Sequence, residues 1–289
     1  MKINITHLDS ISKNRDSIHF GEIIGCELKS TIRSRLFRLL ESDLLDYPRI
    51  RFCGEGIPLS KGFKGFVDYK IQGHNGVVPQ LNIRMINRLL GDGNTMIIDR
   101  CQHFFPEIFE LCKKIESVFF EKVNANLYYS TNKNPSFGLH FDSIDGIAYQ
   151  VLGEKNWVVY EPTVQKPTKH QKSFLFNKPS GKPLLEKTIN EGEFIYIPNG
   201  FWHNVETAKS PSILISFSIN TKKIYELIQE MSDNMHIYPE LRESITSLNN
   251  DSDIKKVLSV LAEALSASRI TEEISRNKSK FGQNYETAK

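Results

Sequence analysis

The sequence predicts a mostly β protein with helices, its core a sandwich or jelly roll entered through mixed α/β elements and followed by a helical segment. Three observations carry this. Between residues 121 and 220, five short runs rich in β-branched and aromatic residues follow one another, separated by Gly, Pro, Asn and Ser. No helical spacing interrupts them, which points to packed antiparallel strands rather than a parallel α/β sheet. On either side of this block, apolar residues recur at intervals of three and four.

Before residue 120 the spacing predicts helices over Thr31–Leu40, Gln80–Leu90 and from Pro106 onward, where Ile108, Leu111, Cys112 and Ile115 form one face. YPRIRF and NTMII read as short strands, and Gly54 to Gly76 as a glycine-rich loop. The five central runs are NANLYYS, GIAYQVLG, NWVVYEP, GEFIYIP and SILISFSI. After residue 220, Ile224, Leu227, Ile228 and Met231 make one helical stripe. Ile254, Val257, Leu258, Leu261 and Leu265 make a second. The tail after Asn277 is polar and is expected to fray.

A chain of 289 residues accommodates one large β domain and a smaller appendage, divided here as 1–220 and 221–289. The net charge of +3 does not suggest a dedicated nucleic-acid binder. No apolar run is long enough to cross a bilayer, and MKINITHLDS has no apolar signal core. Cys26, Cys53, Cys101 and Cys112 lack both C-x-x-C pairing and a disulfide spacing. The expected location is therefore cytoplasmic, with reduced thiols and no membrane association.

The chemistry centres on Gly138-Leu139-His140-Phe141-Asp142. Strand residues two apart share a face, so His140 and Asp142 can aim at one point. His-x-Asp alone is weak evidence, since a solvated strand also carries such pairs. A third ligand is available in His203, within IPNGFWHNV, where a Pro198-Asn199-Gly200 turn precedes a second strand. Two imidazoles and one carboxylate on a common face match the open-sided Fe(II) sites of non-haem oxygenases.

The run NANLYYSTNKNPSFGLHFDSIDGIAYQVLGEKNWVVYEP, with GEFIYIPNGFWHNVET downstream, resembles the JmjC oxygenases, and most closely their ribosomal-oxygenase, cupin-like branch. The similarity spans roughly residues 20 to 220 and includes YPRIRF and the helix before NLYYS. It implies a double-stranded β-helix, the jelly roll of the JmjC/cupin type, over 1–220. It also implies a helical dimerisation segment over 221–289. The implied metal ligands are His140, Asp142 and His203. The implied cofactors are Fe(II), 2-oxoglutarate and O₂. Lys155 matches the basic residue that pairs with the far carboxylate of 2-oxoglutarate; read by itself, it could equally be an exposed lysine in a turn over Gly153–Asn156. Asn126 matches a further cosubstrate contact of that branch, though by itself it reads equally as a polar residue at a strand start; Tyr128, on the same strand face, and more weakly Ser218, on the strand after His203, are further candidates, while Trp157 and Trp202 read as packing residues. Phe137 and Gly146 depart from the family, standing where relatives place a hydroxyl or an amide.

The resemblance implies hydroxylation of a side chain on a protein or peptide, by a homodimer formed through its C-terminal helices and without direct nucleic-acid binding. The span 221–289 suffices for the helical segment but not for the winged helix of ribosomal oxygenases. Two alternatives stay open: a hydroxylase of a free amino acid or other small molecule, and a catalytically silent cupin-like binding protein.

Overall fold

The computed structural model describes residues 3–26, 28–42, 45, 49–54, 57–58, 66–71, 76–132, 137–244 and 250–282. Tyr47 and Pro48 of the predicted YPRIRF strand, much of the glycine-rich stretch and the end of the polar tail lie outside them. The chain divides into two compact units, one of residues 1–119 with 123–220, the other of 120–122 with 221–289. No helix among the described residues is long and apolar enough to cross a membrane.

The first unit is built on a ten-stranded sheet. Its strands are β1 (Asn4–Ile5), β2 (His19–Ile24), β3 (Ile50–Gly54), β4 (Ile57–Pro58), β7 (Thr95–Ile98), β8 (Lys122–Ser130), β9 (Asp145–Tyr160), β10 (Leu185–Ile189), β11 (Glu193–Ile197) and β12 (Trp202–Asn220). The order is β1-β2-β11-β9-β12-β8-β7-β3-β4, with β10 added on β9. A separate hairpin joins β5 (Val67–Ile71) to β6 (Val77–Leu81). The helices are α1 (Leu8–Lys13), α2 (Leu28–Glu41), α3 (Ile83–Gly91) and α4 (Pro106–Phe119). The fold is the mostly β jelly roll that the strand pattern predicted.

Two predicted pairs of strands are fused. GIAYQVLG and NWVVYEP form the single 16-residue strand β9, and the strand at His203 continues through SILISFSI as the 19-residue β12. By its local sequence Gly153 belongs in a turn. Instead it takes φ +71° within β9, and β12 runs beside both halves through a register irregularity near Lys209–Ile213. The first half of β9 pairs β11 on its other edge, and the second half pairs β10. One bent ladder thus serves both walls of the barrel.

Side chains alternate across this ladder. Ile147, Tyr149 and Val151 face a large core shared with α2 and α4, whereas Ala148, Trp157 and Val159 face the barrel interior with Ile195 and Leu214. Strand β8 repeats the pattern. Val123, Ala125, Leu127 and Tyr129 enter the large core, so Asn126, Tyr128 and Ser130 point the other way.

Helix α3 starts at Ile83 rather than at the predicted Gln80, because the Asn82 side chain accepts from Met85 N at 3.0 Å and caps it there. The second unit holds α5 (Ile224–Asp233), α6 (Asp251–Ala264) and α7 (Ala267–Gly282). Helix α7 carries regular structure past Asn277, where fraying was expected, and Arg276 pairs with Glu272 and Glu273 one turn back.

Gly153 gives a stability test. A Cβ there would lie 2.4 Å from Lys209 O and 2.5 Å from Pro211 O, on a left-handed backbone. Gly153→Ala is expected to cost roughly 3 kcal/mol from strain and overpacking together. Thermal denaturation should show a melting temperature lower by on the order of 10 °C. Gly146→Ala, where a Cβ meets nothing within 4 Å, should leave it within about 2 °C.

Candidate metal centre and the adjoining pocket

His140, Asp142 and His203 converge, one possible ligand atom from each lying within 4.8 Å of the others. The segment carrying the first two is not the regular strand expected from the sequence. It is an isolated bridge, with His140 N donating to His203 O at 3.1 Å and His203 N donating to His140 O at 2.7 Å. Gly200 N also donates to Asp142 O at 2.8 Å, which ties the β11–β12 turn to the same segment. Asp145, buried at the start of β9, accepts from Asn199 N at 3.0 Å and from its side-chain amide at 2.6 Å, fixing that turn from below.

Both imidazoles are oriented through Nδ1. With Nδ1 protonated, His140 donates to Gly138 O at 2.8 Å and His203 to Phe201 O at 3.1 Å. Each Nε2 is then the free lone pair, as a metal ligand requires. His203 Nε2 lies 3.9 Å from Asp142 Oδ2. Burial, and then the neighbouring His140, push the His203 pKa down to about 4, so its ring is neutral near pH 7. Asp142 stands at the open side, its side chain 61% exposed.

A cavity of about 400 Å³ adjoins the three residues. Asn126, Tyr128, Lys155 and Ser218 all line it. Lys155 is not in a turn but in mid-strand on β9, 2% exposed. Its Nζ donates to Thr207 Oγ1 at 3.1 Å and to Ser130 Oγ at 3.4 Å, and Ser130 in turn bonds Thr95 Oγ1 at 2.9 Å. No ion-pair partner reaches Lys155 among the described residues. Burial lowers its pKa to about 8. Burial, then the Asp142 charge, raises the Tyr128 phenol above its ordinary range. Trp157 also lines the cavity, stacked on His203 at 5.8 Å, with its indole N–H buried and unbonded.

Neither the hydroxyls that hold Lys155 nor Arg51 is among the residues the sequence points to. Ser130 could have been, since it continues the two-residue period of Asn126 and Tyr128. Thr207 could not, because its place opposite Lys155 follows from the β9–β12 register. Arg51, in the predicted YPRIRF strand, also lines the pocket and is held by Asp99 through bonds of 2.7 and 3.0 Å. Trp202, by contrast, is 1% exposed and packs edge-on against Phe141 at 4.9 Å.

Residues 99–227 match the JmjC domain family. Curated relatives extend the likeness beyond that segment. The bifunctional lysine-specific demethylase and histidyl-hydroxylase NO66 of Caenorhabditis elegans is 27% identical over 240 residues, 78% of this chain and 30% of the relative. NO66 of Drosophila persimilis is 29% identical over 128 residues, 44% of this chain and 18% of its own length. The chain thus spans less than a third of either relative. Among solved structures, YcfD, a ribosomal oxygenase from Escherichia coli in complex with cobalt and 2-oxoglutarate, superposes with a TM-score of 0.62. The match covers 93% of this chain and 70% of that one at 14% identity, a likeness of fold. His140, Asp142 and His203 lie inside the matched segment, as do Asn126, Tyr128, Lys155 and Ser218.

Proposed function

We propose that this JmjC protein is an Fe(II)- and 2-oxoglutarate-dependent dioxygenase that hydroxylates a side chain of a protein or peptide. The observation that carries the proposal is a two-histidine, one-carboxylate cluster beside a buried lysine that has no anion of its own. The donor set fits Fe(II), to which neutral imidazole and carboxylate are suited, with sites left open for other ligands. The pocket fits a dicarboxylate, because a buried cation with no anion among the described residues lines the cavity and calls for one.

His140, Asp142 and His203 would hold the metal. Lys155 would bind the far carboxylate of 2-oxoglutarate, with Ser130 and Thr207 orienting its Nζ, and Asn126, Tyr128 and Ser218 would line the cosubstrate's flank. When bound, iron supplies oxidative decarboxylation of 2-oxoglutarate to succinate and CO₂, one atom of O₂ entering succinate and the other a substrate C–H bond. Trp157 and Val205 keep the inner wall apolar, which strengthens the Lys155 ion pair. The exposed side of Asp142 faces the direction from which a polypeptide could approach.

The test uses protein purified without oxygen, to which Fe(II) and 2-oxoglutarate are added before air. Succinate formation, with metal and 2-oxoglutarate binding measured by calorimetry, is the expected result. Failure to bind either ligand would overturn the proposal and favour a silent binding protein. The pH profile adds a second check. Only the ammonium form of Lys155 pairs with a carboxylate, so 2-oxoglutarate affinity should be flat below pH 8 and fall by about tenfold per unit above it.

Homodimerisation through the second unit and a cytoplasmic location belong to the same proposal. In support of the first, Ile254 and Leu258 on α6 and Ile274 on α7 are 46%, 57% and 43% exposed, apolar side chains that a monomer leaves in water. Light scattering after gel filtration should give twice the chain mass. The location is supported by four unpaired cysteines, three of them buried. No direct nucleic-acid contact is part of the proposal.

A further inference from the structure

We propose that the β9–β10 connection, residues 161–184, is a docking arm that recruits an acidic polypeptide to the metal centre. The inference rests on the reading of that centre as one acting on a polypeptide. Between Glu161 and Glu186 there is no acidic residue, while Lys166, Lys169, Lys172, Lys178 and Lys182 are all exposed. The whole chain has a net charge of only +3, so this one connection holds an excess that the rest of the protein lacks. Lys166 pairs with Asp16 at 3.1 Å. Lys172, Lys178 and Lys182 meet no acidic partner among the described residues. Between the lysines, Phe174, Leu175 and Leu184 are 82%, 61% and 50% exposed.

The connection is anchored at the rim of the site. Phe176 packs at 5.9 Å against Phe141, the residue between His140 and Asp142. Thr163 Oγ1 accepts from Trp202 Nε1 at 2.9 Å, one residue before His203. Val164 and Pro167 close on Gly200, whose N–H is held by Asp142 O. Thr168 and Gln171 bond each other twice, at 2.9 Å each, shaping the outer turn. The connection that carries these cations and apolar side chains is therefore anchored beside His140, Asp142 and His203. Charge there steers an acidic chain toward the mouth.

The composition favours polypeptide over RNA. The connection contains no arginine, the residue that grips phosphates and base edges in a planar fork. Its exposed apolar groups are two leucines and one phenyl ring, which suit apolar side chains better than a series of stacked bases.

The test is fluorescence anisotropy with a fluorescein-labelled peptide of three Glu-Gly-Phe-Glu-Gly repeats, its lysine-for-glutamate counterpart and a 15-nucleotide oligo(U) RNA. The wild-type protein should bind the acidic peptide, more weakly as salt rises, and should not bind the basic one. Lys172→Glu combined with Lys178→Glu and Lys182→Glu should weaken binding at least tenfold, and Phe174→Ser should weaken it independently. Neither should change 2-oxoglutarate-dependent succinate formation measured without peptide, or the circular dichroism spectrum. Equal affinity of the wild-type and triple variant, no binding by the wild type, or tighter binding of the RNA would each overturn the inference. Lysine-dependent capture by a protein that forms no succinate would support the arm and overturn the oxygenase reading. Succinate formation without capture would do the reverse.

Discussion

Replacing His140 and Asp142 together by alanine is expected to abolish succinate formation and tight metal binding while leaving the protein folded. A four-ligand protein site holds its metal by about 10–16 kcal/mol, or roughly 3 kcal/mol for each ligand. Losing two ligands should therefore weaken the metal by on the order of 10⁴-fold. Both side chains sit at the mouth rather than in the core, His140 half-buried and Asp142 exposed. The bridge that aligns them with His203 is made by backbone atoms and survives the change. Calorimetric titration with Fe(II), under exclusion of oxygen, checks the affinity. A double variant that still binds iron and makes succinate at the wild-type rate would place the metal elsewhere.

Lys155→Met is expected to have two effects of opposite sign. Truncating one member of a buried ion pair costs about 2–5 kcal/mol, so the KM for 2-oxoglutarate should rise by roughly 10²- to 10³-fold. The ligand-free protein should become more stable, because near pH 7 the folded state bears the burden of a buried charge. The folded pKa of about 8 against the ordinary 10.5 corresponds to roughly 3 kcal/mol. The sign follows from proton counting: between pH 8 and 10.5 the unfolded chain holds more protons at this site, so stability rises with pH there and the burden is greatest below pH 8. Methionine removes it, and the melting temperature should rise by on the order of 5 °C. A lysine with a purely structural role would show the reverse, a lower melting temperature with the KM unchanged.

The legible parts of this protein are those set by local pattern. The β-rich block, the helices α2 and α4, and the His140–Asp142 pair are all governed by spacings within a few residues. His203 could be proposed because Pro198-Asn199-Gly200 announces a turn just before it. What could not be read depends on register and on distant partners. Gly153 looks like a turn residue locally, yet β12 holds it inside one long strand. Strands β2 and β10, HFGEII and LEKTI, offer too little apolar alternation to stand out and exist because β11 and β9 give them edges. The hydroxyls around Lys155 come from β8 and β12, 25 and 52 residues away. No pattern internal to GEKNW contains them.

The β9–β12 ladder has a consequence for how the pocket can move. Thr207 stands opposite Lys155 and His203 opposite Val159, so the Lys155 end and the His203 end of the pocket are rungs of one hydrogen-bonded ladder. Neither end can swing out alone without breaking backbone pairs that both share. Amide protons along residues 155–159 and 203–207 should therefore exchange with solvent only in rare cooperative openings, at rates close to those of global unfolding. The outer connection 161–184 lies off this ladder, held by local turns and by Thr163 and Phe176, and its amides should exchange sooner. The outer surface can then change its side chains while the pocket beneath stays locked to a single frame.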